Sequence, residues 1–174
     1  LFMTPGLAFF YGGLVRARYV ISTIMYSFMA MAVVSVVWVL WGYSLAFGDG
    51  NKWIGDLSLI GLSGIDVETD GDTLLFVVFQ MMFAIITPAL ITGAIVERFK
   101  FTTYLIFLVL WITLVYAPIA HWVWAGNGWL FEMSALDFAG GTVVHINAGM
   151  AALAAAILVG KRRNPASEPH NVPY

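Results

Sequence analysis

The chain has 174 residues, of which 61% are hydrophobic and 10% charged, with a net charge of −2 and a mean hydropathy of +0.88. A soluble domain is roughly half apolar and a quarter charged, so this composition excludes an ordinary soluble protein and indicates an integral membrane protein. Cysteine is absent, which excludes a disulfide framework and a thiolate metal site.

The apolar residues fall into five runs. A helix that crosses a bilayer needs roughly 17 to 25 apolar residues, and four of the five runs reach that length. The runs predict helices at about residues 1–14, 20–47, 74–96, 101–122 and 137–160. We interpret the short first run as the second half of a truncated spanning helix. A signal peptide is the less favoured alternative, because the run has neither a basic start nor a small-residue cleavage site.

Lysine and arginine fall in alternate connections between these runs. Seven of the eight basic residues share one side of the membrane, and only Lys52 lies on the other. The seven are Arg16, Arg18, Arg98, Lys100, Lys161, Arg162 and Arg163. The positive-inside rule therefore predicts a cytoplasmic tail at 161–174 and an extracellular loop at 48–73. That loop is acidic, which we interpret as a solvated surface, with electrostatic attraction of cations as the alternative.

Several aromatic residues lie near the predicted outer ends of the helices. The second run carries Trp38, Trp41 and Tyr43 there, which is typical of an aromatic belt at the membrane interface. The fourth run ends close to His121 and Trp124. From position alone, we interpret His121 as an interfacial, solvated residue and Trp124 as a belt residue.

The third run contains Phe79 and Phe83, which are four residues apart and so lie on one face of a helix. Ordinary packing inside the bundle is the simplest explanation of this spacing. The neighbouring Gln80 requires a hydrogen-bond partner, so we expect it to face protein rather than lipid.

The fifth run opens with Asp137-Phe-Ala-Gly-Gly-Thr-Val-Val-His145. Asp137 comes before the helical run, and its carboxylate is predicted to cap the free N–H groups of the first turn. His145 is expected about 12 Å deeper, at roughly 1.5 Å per residue. An ionisable residue buried inside a membrane span is a candidate for a transport pathway, and a buried structural histidine is the alternative.

Residues 137–149 resemble the signature of the ammonium transporter family (Amt/Mep/Rh). Five other segments are similar to the Amt branch in the same order, namely residues 5–14, 42–48, 79–83, 93–98 and 118–124. The resemblance implies an all-α membrane protein. It further implies that the chain is the five-helix N-terminal half of an eleven-helix inverted-repeat ammonium transporter fold, with the first helix truncated.

The same resemblance implies roles for individual residues. Trp124 and Phe83 match an outer site that recruits the ammonium ion, and Phe79 and Phe83 match the paired rings that gate the pore below it. Asp137 matches the acidic residue that supports ion binding without contacting the substrate. His145 matches the first of two pore histidines, the second of which belongs to the other half of the fold.

The implied function is transport of ammonium or ammonia, with methylammonium as an analogue, across the plasma or inner membrane. A homotrimer and a PII-type regulatory protein on the cytoplasmic face are the implied partners, with no cofactor, metal or nucleic acid. The main alternative is an ammonium sensor coupled to a signalling partner. A membrane enzyme is less favoured because the spans offer no paired carboxylates or cysteine nucleophile, and a purely structural subunit is a third alternative.

Overall fold

The structure is a computed structural model that describes residues 2–161. This part of the chain is helical, and its only strand-like feature is an isolated bridge between Asn51 and Ile54. Most of the predicted cytoplasmic tail, from Arg162 onward, lies outside the described residues. The all-α fold class predicted from the sequence is therefore confirmed.

Within residues 2–161 we number six helices in chain order, counting consecutive α-helical and π-helical segments as one helix. They are α1 (Met3–Gly13), α2 (Val20–Val37, Trp38–Gly42 and Tyr43–Phe47), α3 (Gly71–Ile95), α4 (Phe101–Trp111, Ile112–Tyr116 and Ala117–Trp124), α5 (Trp129–Glu132) and α6 (Gly141–Ile146 and Asn147–Val159). The π-helical segments are the middle one of α2, the middle one of α4 and the first one of α6.

Four of these helices, α2, α3, α4 and α6, are long and apolar enough to cross a membrane, whereas α1 has 11 residues. The last of the four begins later than the sequence suggests, at Gly141 rather than at residue 137. Gly140 precedes it in the left-handed conformation, with φ of 87°, which a helix cannot include. Asp137 therefore lies in the loop that leads into α6.

The third helix is the centre of the packing, because α3 contacts α1, α2 and α6. Gln80 on this helix is buried, as expected for a residue that faces protein. Near the other end of α3, the Tyr11 hydroxyl of α1 donates a hydrogen bond of 2.9 Å to the Leu90 carbonyl oxygen. A Cβ atom added to Gly93 would lie 2.9 Å from the Tyr11 ring, so glycine permits this close contact between α1 and α3.

The belt interpretation is wrong for Trp38 and Tyr43. Both side chains are buried between helices, and the Trp38 indole nitrogen donates to the Val77 carbonyl oxygen at 3.2 Å. Trp41 is half-buried and donates to the Thr113 hydroxyl of α4 at 2.8 Å. An indole gains most from burial when its N–H finds an acceptor, and here α3 and α4 supply the acceptors.

The interpretation of His121 as a solvated residue is also wrong. Its side chain is 0% exposed, with Nδ1 at 2.9 Å from the Ala46 carbonyl oxygen and Nε2 at 2.7 Å from the Asn51 carbonyl oxygen. The loop after α2 folds over the end of α4 and covers the imidazole. We call this end of the bundle the outer end, following the orientation predicted from the basic residues.

Candidate functional site

Three aromatic rings are in contact at the outer end of the bundle. The Phe79 and Phe83 rings lie on the same face of α3, with centroids 5.1 Å apart and planes at 81°. The Trp124 ring comes from the last residue of α4 and meets the Phe83 ring at 5.4 Å and 61°. The structure thus brings together the two phenylalanines that share a helix face and a tryptophan from a different helix.

Asp137 holds the start of α6 through its carboxylate. Its Oδ1 accepts hydrogen bonds from the N–H groups of Gly140 and Gly141, both at 2.7 Å. Its Oδ2 accepts from Thr142 at 2.7 Å and from Val143 at 3.0 Å. The predicted capping role is confirmed, because four N–H groups at a helix start share one carboxylate.

These hydrogen bonds also set the ionisation of Asp137. Partial burial alone would raise the pKa of this carboxyl, but the bonds from Val143, Thr142, Gly141 and Gly140 favour the charged form and together lower the pKa below its usual value. The carboxylate is therefore anionic at neutral pH, and its lone pairs are directed at the backbone of α6.

Trp124 is connected to the same segment. Its indole nitrogen donates a hydrogen bond of 2.8 Å to the backbone carbonyl oxygen of Asp137. The indole is partly buried, with one neighbour in α3 and another in the loop before α6. These contacts explain its position without a lipid-facing belt, and no sequence pattern indicated the bond to Asp137.

His145 lies in the π-helical first segment of α6, where its backbone N–H donates to the Gly140 carbonyl oxygen at 2.9 Å. Within residues 2–161 its side chain is exposed. No hydrogen bond from residues 2–161 reaches its imidazole. Within residues 2–161 a cavity lies beside the ring, and the choice between a pathway residue and a buried structural histidine stays a prediction.

That cavity has a volume of about 550 Å³ and lies between α1, α3 and the start of α6. Phe79, Phe83 and His145 all line it, so three of the four predicted pathway side chains share one space. Among the described residues that line it, only Thr4 and His145 have polar side chains. The remaining wall is apolar and includes residues that the sequence analysis missed, namely Leu7, Phe10, Met82, Ile86 and Leu90.

The last three of these missed residues could have been found from the sequence. Met82, Ile86 and Leu90 follow Phe79 and Phe83 at intervals of three and four residues, which places them along one stripe of α3. The cavity-lining residues of α1 show no comparable sequence pattern, since their position depends on how α1 packs against α3. In residues 2–161 no three His, Asp or Glu side chains form a group that could hold a metal ion.

The fold and the cavity define a class of protein, an all-helical membrane protein with an aromatic-lined apolar space between its helices. The family model described as the Ammonium Transporter Family matches residues 1–174. The chain therefore belongs to the ammonium transporter family, as its sequence motifs predict. Members of that family among its relatives are named as transporters and not as enzymes.

Relatives and solved structures give the same result. The chain is 54% identical to an ammonium transporter of Bacillus subtilis, over 99% of this chain and 44% of the relative. Its fold matches the crystal structure of Mep2 from Candida albicans with a TM-score of 0.84 and 39% identity, covering 96% of this chain and 38% of Mep2. It also matches a structure named Sensor Amt Protein with a TM-score of 0.86 and 29% identity, over 98% of this chain and 44% of that protein.

The chain thus spans less than half the length of these relatives.

Proposed function

We propose that the natural protein that carries this chain transports ammonium or ammonia across the plasma or inner membrane. The observation that supports this most directly is the continuous series of Trp124, Phe83 and Phe79 rings, which leads into the cavity beside His145. Membership of the ammonium transporter family supports the choice of substrate.

In this proposal, the rings of Trp124 and Phe83 receive the ammonium ion. The face of an aromatic ring attracts a cation, tryptophan most strongly, and a desolvated contact contributes about 2 kcal/mol. Asp137 supports the site in two ways. Its backbone oxygen holds the Trp124 indole, and its carboxylate adds a negative charge near the rings while remaining bonded to α6.

A comparison of energies then favours loss of a proton before passage. Moving an isolated ammonium ion into an apolar interior costs tens of kcal/mol, far more than a cation–π contact returns. The space beyond Phe83 is mostly apolar, with Thr4 and His145 as its polar side chains. Ammonia carries no charge, so it can pass between Phe79 and Phe83 when these rings move apart.

His145 is the group we assign to the path beyond the rings. An imidazole can accept a hydrogen bond from ammonia or pass on a proton, because its charge changes near neutral pH. Both neutral passage, with the proton left outside, and net ammonium transport, with the proton carried by a separate route, are compatible with this role.

The assembly belongs to the same proposal. We propose that the protein forms a homotrimer with one pore per subunit, and that a PII-type regulatory protein binds its cytoplasmic face. The resemblance to the Amt branch supports both the trimer and the PII-type partner. The sensor alternative is less favoured, because relatives of higher identity than Sensor Amt Protein are named as transporters.

The recruitment site can be tested with two variants at one position. Trp124→Ala removes the ring and should raise the KM for methylammonium uptake into liposomes roughly tenfold, as expected for a loss of about 1.4 kcal/mol. Trp124→Phe keeps a ring face and should raise the KM less. Equal KM values for both variants and the unmutated protein would support a belt residue and contradict the proposed site.

A further inference from the structure

A group of contacts at the outer end joins the end of α4 to the end of α2 and the loop that follows it. Residues 121–129 face the backbone carbonyl oxygens of residues 46–53, and we call this set of contacts the loop latch. Its members are His121 Nδ1 with Ala46 at 2.9 Å, His121 Nε2 with Asn51 at 2.7 Å, Trp122 Nε1 with Trp53 at 2.6 Å, Asn127 Nδ2 with Asp49, and the Trp129 N–H with Lys52 at 3.2 Å.

His121 is the buried member of the loop latch. Its side chain is 0% exposed, whereas Trp122 and Asn127 are only partly buried. Both of its ring nitrogens face carbonyl oxygens, which only accept. A neutral imidazole donates through one ring nitrogen, so the tautomer decides which of the two contacts is the donated hydrogen bond. Hydrogen bonds in such a dry position are costly to lose.

The loop latch lies next to the candidate recruitment site in the chain. Trp124 follows His121 by three residues and is the last residue of α4, because Ala125 has an extended backbone with ψ of 142°. A helix end is the part of a helix that frays most readily. The contacts of His121 hold this last turn against the loop, and the indole of Trp124 projects from the same turn onto Phe83.

We propose that His121 is a positioning residue for Trp124, which it serves by fixing the last turn of α4 to the loop through Asn51. This inference rests on the proposed function, since it assumes that Trp124 receives the cation. The loop latch contains no member of the cavity wall. Its loss should therefore weaken recruitment at the outer end and leave passage through the cavity unchanged.

Two conservative variants separate the two contacts of His121. The amide nitrogen of asparagine can replace Nδ1, so His121→Asn can keep the bond to Ala46 and loses the bond to Asn51. The longer glutamine can replace Nε2, so His121→Gln can keep the bond to Asn51. His121→Ala loses both. The measurement is methylammonium uptake into liposomes by the full-length natural protein, with KM and maximal rate determined separately.

We expect His121→Asn to raise the KM roughly 3- to 10-fold, as expected for loss of one buried hydrogen bond, and His121→Ala to raise it at least as much. Both variants should keep a maximal rate within about twofold of the unmutated protein. His121→Gln should restore a KM close to the unmutated value. An unchanged KM in all three variants, a glutamine variant as impaired as the alanine variant, or a fall in maximal rate alone would overturn the proposal.

A second position keeps the test decisive if the His121 variants do not fold. Trp122→Phe removes the bond to the Trp53 carbonyl oxygen at a less buried site and should also raise the KM, about 2- to 5-fold. Trp41→Phe is the matched control, because it removes one indole hydrogen bond, to Thr113, away from the loop latch. Equal KM values for these two variants would overturn the proposal. Absence of saturable uptake by the unmutated protein would instead contradict the proposed function.

Discussion

Individual polar residues at the outer end are held by backbone groups rather than by other side chains. Asp137 accepts from the N–H groups of Gly140 and of the first three residues of α6, and His121 lies between two carbonyl oxygens. Backbone partners are fixed in position by the helices and loops that carry them. These residues can therefore place Trp124 and the start of α6 without occupying the space that a substrate would use.

Replacement of Asp137 tests its role at the start of α6. Asp137→Ala removes the only side-chain acceptor that the structure gives to the N–H groups of residues 140–143, and loss of a helix cap costs about 1 to 2 kcal/mol. We expect a lower midpoint of thermal unfolding in detergent. Asp137→Asn should have an intermediate effect, because its one amide oxygen can still accept two of the four bonds.

The pH dependence of stability provides a further check on Asp137. Its pKa in the folded protein lies below the usual value of 3.8, so its contribution to stability is complete above that value and is lost as the pH falls through the folded pKa. The stability advantage of the unmutated protein over Asp137→Asn should therefore shrink below about pH 4. Parallel pH profiles of the two proteins would contradict the assigned hydrogen bonds.

At the scale of helices, the order and approximate extent of the membrane spans could be predicted from the sequence. Apolar runs of sufficient length are visible without any contact information, and α2, α3 and α4 lie close to the predicted ranges. The spacing of Phe79 and Phe83 likewise predicted their shared face. Such features depend on local sequence, so one amino-acid sequence is enough to predict them.

Features that depend on contacts between helices could not be predicted. Trp38 was expected at the membrane interface, but it is buried because Val77 of α3 supplies an acceptor for its indole. His121 was expected in solvent, but Ala46 at the end of α2 and Asn51 in the following loop cover it. A belt residue and a residue covered by a loop both lie near a helix end in the sequence. Only the packing of the folded chain distinguishes them.

The contact between α1 and α3 offers a test at this scale. Gly93→Ala would place a methyl group 2.9 Å from the Tyr11 ring, so the helices must separate or the ring must move. Overpacking of this kind costs about 1 to 3 kcal/mol, and the thermal midpoint should fall. Gly71→Ala is the control, since no atom lies within 4 Å of the added methyl group. A fall of the same size in both variants would contradict the close packing.

At the scale of the whole molecule, the chain carries one side of the candidate pathway. Phe79 is 54% exposed and His145 is exposed in the described residues, although both line the cavity. The chain spans 44% of the Bacillus subtilis relative, so transport is a property to be measured on the full-length natural protein. In the proposed function, the rings of Trp124 and Phe83, the cavity and His145 form one route, and each part can be tested separately.

In the proposed function, ammonium or ammonia passes His145, so replacing this residue is the decisive experiment. Uptake of ammonium into liposomes that contain the full-length protein is compared with uptake after His145→Ala, with equal protein incorporation verified in both. We expect saturable uptake by the unmutated protein and a fall of about 100-fold or more in the variant, as expected when a group that transfers a proton is lost. Unchanged uptake after His145→Ala would contradict it.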